Sequence, residues 1–227
     1  MSHEQQALTI LYSDDSLLVI DKPAGLPTLP DGYQRSAPCL LDRVKEQYKR
    51  VWVVHRLDKD TSGVIVFARS AEVHRALNLA FDAHAVSKVY HAIVIGVPHW
   101  DTHTIALPLR PDGDRRHRTV IDPQRGKAAV THCRVLERFQ GHALLEAKPE
   151  TGRTHQIRAH LATEGFPLVG DALYGGKIAT ARLNRVALHA RSIRFTHPVT
   201  AEEMQFEAEY PADFGAVLAQ LRQLTRD

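Results

Sequence analysis

Short apolar runs separated by turn formers dominate the chain, with a few stretches at helical spacing between them. Leu8-Thr9-Ile10-Leu11-Tyr12 and Leu17-Leu18-Val19-Ile20 predict two strands joined by Ser13-Asp14-Asp15-Ser16. Asp21-Lys22-Pro23-Ala24-Gly25-Leu26 breaks the pattern, and the three prolines and one glycine of residues 27–38 predict a mobile loop. Leu40, Leu41, Val44 and Tyr48 recur as one face of a helix that should end near Lys49-Arg50. Val51-Trp52-Val53-Val54 and Val64-Ile65-Val66-Phe67-Ala68 predict strands on either side of a charged loop. Ser70 is placed to cap a helix whose apolar face is Ala76, Leu77, Leu79, Ala80 and Phe81.

From Ser87 to Gly96 the chain alternates, with Val89, His91, Ile93 and Ile95 on one side and Tyr90, Ala92 and Val94 on the other. Residues 98–127 hold four prolines and a basic set, and predict loops with short strands. Strand patterns return at 128–136 and 143–147 around Gln140-Gly141-His142. A helix is expected to begin near Arg153 or Thr154, which would set Arg153, Ile157 and His160 on nearly one face. Further strands are expected at 187–190 and around Met204-Phe206-Ala208. A last helix opens at Pro211 with Phe214, Val217, Leu218 and Leu221 inward. The sum is an α+β pattern.

Composition narrows the classes. With 227 residues and 44% apolar content the chain buries a sizeable core, as one domain or as two lobes. A formal charge of +3 permits nucleic-acid binding without requiring it. Two cysteines, Cys39 and Cys133, lie far apart without C-x-x-C spacing, and suggest neither a disulfide framework nor a zinc knuckle. No apolar run reaches membrane-spanning length, and the polar start lacks a signal-peptide core, so a reduced, cytoplasmic protein is expected. His155 and His160 are five residues apart and point away from each other on a helix, so no metal is expected.

The chemistry concentrates in His55-Arg56-Leu57-Asp58-Lys59-Asp60-Thr61-Ser62-Gly63, a charged loop between two strands. Alone, it is also readable as a polar turn in which Asp58 bonds its own backbone. Together with Lys88-Val89-Tyr90-His91-Ala92 and Thr151-Gly152-Arg153-Thr154-His155-Gln156-Ile157-Arg158-Ala159-His160, it resembles the RluA-type RNA pseudouridine synthases. The later Gly165-Phe166-Pro167 and Gly170-Asp171-Ala172-Leu173-Tyr174-Gly175 block resembles that family as well; Asp171 is expected to be structural. The likeness runs from about residue 8 to residue 214.

That resemblance implies a pseudouridine synthase fold: a long, mixed, mostly antiparallel sheet in two halves, flanking helices and a central catalytic cleft. It implies a flexible N-terminus at 1–7 and one catalytic domain over 8–227, the short form without an S4-type module. Asp58 is then the catalytic residue, as nucleophile or base, with Tyr90 lining the site and Arg153 pairing with the carboxylate to keep it ionised. Arg56 is expected to fill the space left by a flipped base. Arg115, Arg116, His155 and Arg158 are expected to touch RNA, though the basic stretch 110–127 is equally readable as a solvated surface. Arg182, Arg185, Arg191 and Arg194, with no acid nearby in sequence, extend that expected surface.

The reaction implied is isomerisation of uridine in structured ribosomal RNA, a transfer RNA stem-loop, or both, by a monomer without cofactor. Two rivals are a catalytically silent RNA-binding relative and a glycoside hydrolase using Asp58 and Asp60. The second needs carboxylates from separate elements across a cleft, whereas these two sit on one loop.

Overall fold

The computed structural model describes residues 7–30, 37–176 and 183–225. The expected flexible N-terminus, apart from Ala7, lies outside those residues, as do Arg182 and half of the expected 27–38 loop. The chain divides into two compact units, Met1–Val86 with Ser192–Glu209, and Ser87–Arg191 with Tyr210–Asp227. The solution is an α+β fold. Among the described residues, no helix is long and apolar enough to cross a membrane.

In the first unit, β1 (Thr9–Ser13), β2 (Leu17–Lys22) and β4 (Ser62–Ala68) are hydrogen-bonded in that order. β3 (Trp52–Val53) also pairs with β4, and β12 (Glu203–Glu207) pairs with the 192–196 end of β11 (Leu188–Thr196). β2 and β4 are buried along almost their whole length. Their uninterrupted apolar runs follow from that, because strands covered on both faces have no solvent side for polar residues. Leu17, Val19, Val64 and Val66 pack with Val73 and Leu77 of α2 (Ala71–Asp82) and with Ile193, Phe195 and Ala208. The expected cap is present, with the Ser70 hydroxyl accepting from the Val73 amide at 3.2 Å. α1 (Leu40–Tyr48) buries Leu40 and Val44, as its spacing predicts.

The second unit is built on β5 (Ser87–Ile95), β10 (His142–Pro149), β9 (Thr131–Phe139) and β6 (Thr102–Ile105), neighbours in that order and antiparallel. β5 alternates as its sequence predicts. Ala92 and Val94, with Tyr90 against them, join the core under α3 (Gln156–Thr163). Ile93 and Ile95 join Phe214, Val217, Leu218 and Leu221 of α4 (Ala212–Leu224) on the other face. Between β6 and β9 a small hairpin of β7 (Leu109–Arg110) and β8 (Val120–Ile121) carries the basic stretch.

Two sequence expectations change. β3 stops at Val53, one residue short of the predicted run, because the His55 side chain accepts from the Val66 amide at 3.0 Å and so takes the donor the next strand residue would use. The expected acid-free arginines also have partners contributed from distant sequence: Arg185 pairs with Asp213 through two bonds of 2.7 and 2.9 Å, and Arg194 lies 3.6 Å from Glu203.

Gly63, the second residue of β4, lies opposite Lys22 with φ +109°, a backbone that an L side chain rarely adopts. Gly63→Ala should therefore lower stability by roughly 1–3 kcal/mol, the usual cost of one such strained residue. Urea unfolding with an unchanged midpoint would contradict the strain.

Candidate active site

The signature loop of the first unit is fixed by its main chain. Leu57, buried, is bracketed by the hydroxyl of buried Thr28, which donates to the Leu57 carbonyl at 2.9 Å and accepts from the Leu57 amide at 3.2 Å. On the other side of Asp58, the Lys59 carbonyl accepts from the Gly25 amide at 2.9 Å and from the Lys22 ammonium at 3.1 Å. Lys22 is fully buried and also donates to the carbonyls of Pro23 and Leu26, at 3.0 and 2.8 Å. The Asp58 carbonyl closes a turn onto the Thr61 amide at 3.1 Å. Asp58 is thus half-buried between two residues tied to the Lys22–Thr28 segment, while Arg56 is exposed. His55 is set into the same unit by its bond to β4 and by stacking on Phe81, with ring centroids 5.0 Å apart.

The remaining predicted residues belong to the second unit. Tyr90 is half-buried on β5, on the side of the sheet that faces α3. Arg153 is exposed and precedes α3 rather than lying on it: the helix begins at Gln156, after His155 at φ +51°. The shared face of Arg153, Ile157 and His160 expected from the sequence is therefore corrected. The reason is Gln156, whose buried amide ties the turn to β9. Its oxygen accepts from the Thr151 hydroxyl at 2.7 Å and the Arg153 amide at 3.0 Å. Its nitrogen donates to the Val130 carbonyl and the Thr131 hydroxyl, at 2.9 and 3.0 Å. These bonds hold residues 151–153 in an irregular turn, and the Arg153 Nε reaches the Ala128 carbonyl at 3.1 Å.

His160 continues the chain of bonds, with Nδ1 2.9 Å from the Thr131 hydroxyl and Nε2 2.9 Å from the Leu107 carbonyl. His155 lies 3.2 Å from the Tyr174 hydroxyl. The two histidines thus have separate polar partners. Arg158 is buried, and its guanidinium makes bonds of 2.7 and 2.9 Å to Asp171. That arrangement supports α3 and gives the buried Asp171 a structural partner, and Arg158 is not an exposed cation.

In the hairpin, Arg118 pairs with Asp114 at 2.6 Å, and Arg110 with Asp122 at 2.6 Å. Asp122 is drawn down to about 2 by the Arg125 amide and the Arg110 guanidinium. These half-buried pairs hold two of the hairpin's cations in place. Arg115 and Arg116 are exposed, and Arg116 donates to the Ala172 carbonyl at 3.2 Å.

Sequence reasoning missed Lys22, Thr28, Gln156 and Tyr174. Lys22 and Gln156 carried a signal: a long cation directly before Pro-x-Gly, and an amide in a motif otherwise read for its arginines. Thr28 carried none, because its partner is main chain 29 residues away.

A family model described as RNA pseudouridylate synthase matches residues 16–163. The chain is 44% identical to a ribosomal large subunit pseudouridine synthase D of Pseudomonas aeruginosa, across 95% of this chain and 72% of that protein. It is 40% identical to an uncharacterized RNA pseudouridine synthase of Bacillus subtilis, across 96% and 74%. Human RNA pseudouridylate synthase domain containing 4 superposes with a TM-score of 0.79 at 27% identity, across 94% of this chain and 93% of that one.

Two outcomes test the scaffold. Thr28→Val keeps the shape but removes both bonds to Leu57, and should cost roughly 1–3 kcal/mol; denaturant midpoints measure it, and a neutral result would show that Leu57 is held otherwise. Burial holds His160 below its ordinary 6.5, so the folded ring stays neutral where the unfolded chain takes a proton. Its stabilisation is whole above pH 6.5 and is lost as pH falls from there through the folded value. The stability advantage of wild type over His160→Gln should narrow as pH is lowered below that point; an advantage that widens would reverse the sign.

Proposed function

This chain belongs to the RNA pseudouridylate synthase family, and from that premise we propose that it isomerises uridine to pseudouridine in large-subunit ribosomal RNA. Asp58 is the catalytic carboxylate of this reading. The observation that carries it is the anchoring of Leu57 and Lys59 on either side of Asp58. A carboxylate held by its neighbours' main chain is positioned before substrate arrives, which is what a nucleophile or base requires.

The reaction breaks the bond between ribose C1′ and uracil N1, turns the base, and joins C1′ to C5. The proton lost from C5 is balanced by one gained at N1, so no oxidant, cofactor or nucleotide is consumed. Asp58 acts at the ribose or the base. Tyr90 and Arg153 support it in the roles that their signature positions suggest. Arg56 takes the place of the base in the stack once the nucleotide has turned out, a step that costs a few kcal/mol. Arg115 and Arg116 hold phosphates, whose contacts position RNA without reading its sequence. The proposed catalytic domain is residues 8–227, working as a monomer in the cytoplasm, and the two buried, unbridged cysteines suit a reducing compartment.

Asp58→Asn should abolish pseudouridine formation in a large-subunit ribosomal RNA transcript while the protein stays folded and still binds that transcript. The amide keeps the shape but is neither nucleophile nor base. Turnover within about tenfold of wild type overturns the assignment of Asp58.

A further inference from the structure

Tyr174 joins three segments of the second unit that are far apart in sequence. Its ring packs with Leu109, Ala129 and Ala159, and the Arg158 guanidinium lies over it at 5.1 Å from the centroid. Its amide lies 3.3 Å from the Asp171 carboxylate that also holds Arg158. The ring therefore has a sufficient structural reason for being there. The hydroxyl is a separate matter. It accepts from the Thr119 amide, in the basic hairpin, at 2.9 Å, and lies 3.2 Å from His155 Nδ1 at the start of α3. Burial is the main influence that pushes the phenol up from its ordinary range, so the hydroxyl keeps its proton at neutral pH.

The same loop receives the hairpin at two further points. Arg116 donates to the Ala172 carbonyl at 3.2 Å, and Arg118 reaches the Leu173 carbonyl at 3.5 Å. Thr119 is buried, so its amide depends on a protein acceptor. The hairpin's two strands are only two residues each, too short to hold its orientation by themselves. Gly113 lets it close tightly, because a Cβ there would meet Val120 at 2.0 Å.

We propose that Tyr174 is a positioning residue, its hydroxyl latching the basic hairpin to the start of α3 so that Arg115 and Arg116 face RNA phosphates in one fixed orientation. This rests on the RNA-modifying reading above. It adds that the grip depends on a residue that touches no RNA. Orientation set in advance spares the cost of ordering the hairpin at the moment of binding.

Tyr174→Phe keeps the ring and removes only the latch. On a large-subunit ribosomal RNA transcript, KM should rise roughly tenfold with kcat nearly unchanged, the upper size expected for one lost part-buried hydrogen bond. In a background of Arg115→Ala and Arg116→Ala, the same substitution should change KM less than about twofold, because the groups it orients are gone. An unchanged KM, or an equal rise in both backgrounds, overturns the latch. Amide hydrogen exchange reads it without activity: Thr119 should be the best-protected amide of residues 111–119 in wild type and should lose that protection in Tyr174→Phe. Exchange of Thr119 at its neighbours' rate in wild type overturns the proposal even if the variant fails to fold. A wild-type protein that modifies no uridine in the transcript would instead defeat the functional reading, while filter binding of the same transcript and the exchange data would still judge the latch.

Discussion

A buried ammonium lies beneath the signature loop, and the geometry of the first unit's chemistry depends on it. Lys22 ends β2 with no exposed surface and donates to the carbonyls of Pro23, Leu26 and Lys59. Carbonyl dipoles that replace water around it, with the neighbouring Asp21 carboxylate, make a charge in that position tolerable. The three bonds fold the 22–28 segment back on itself and then fasten it to the loop. The Thr28 hydroxyl and the Gly25 amide complete the attachment at Leu57 and Lys59. Asp58 sits between those two tied residues on a backbone with little freedom left.

The second unit solves its own problem with neutral groups. Gln156, Thr131 and His160 form a buried relay from the turn at Thr151–Arg153 to the Leu107 carbonyl. Every member has more than one partner, so little is lost to unsatisfied polar atoms. Charge in this unit is mostly engaged internally. Arg110, Arg118, Arg158 and Arg185 each face a carboxylate. With so many arginines paired, the formal charge of only +3 leaves no broad basic field.

Much of this was legible from the sequence. β5 and its two faces, the Ser70 cap, and the course of α1 and α4 all follow from local pattern. The errors share a cause. β3 ends early because a side chain from the following loop took its donor, and α3 starts late because Gln156 captured the preceding turn. Arg185 looked unpaired because its acid lies 28 residues further along. Arg185 and β3 depend on partners further along the chain, and Gln156 can hold its local turn because its own nitrogen is fixed by Val130 and Thr131; periodicity and propensity register none of these. The motif residues stood out by their resemblance; the groups that hold them in place did not.

The division of the chain has a consequence for its synthesis. The first unit takes its residues from Met1–Val86 and again from Ser192–Glu209, with nearly all of the second unit translated in between. Ile193, Phe195 and Ala208 belong to the same core cluster as Val64 and Val66. A nascent chain that has already released the strand following Asp58 therefore lacks part of that strand's apolar cover until about residue 208 leaves the ribosome. The second unit can complete most of its sheet earlier, but it too waits for Phe214 and α4. The first core therefore closes only after the whole of Ser87–Arg191 has been made, and its apolar strands stay incompletely covered for all of that time.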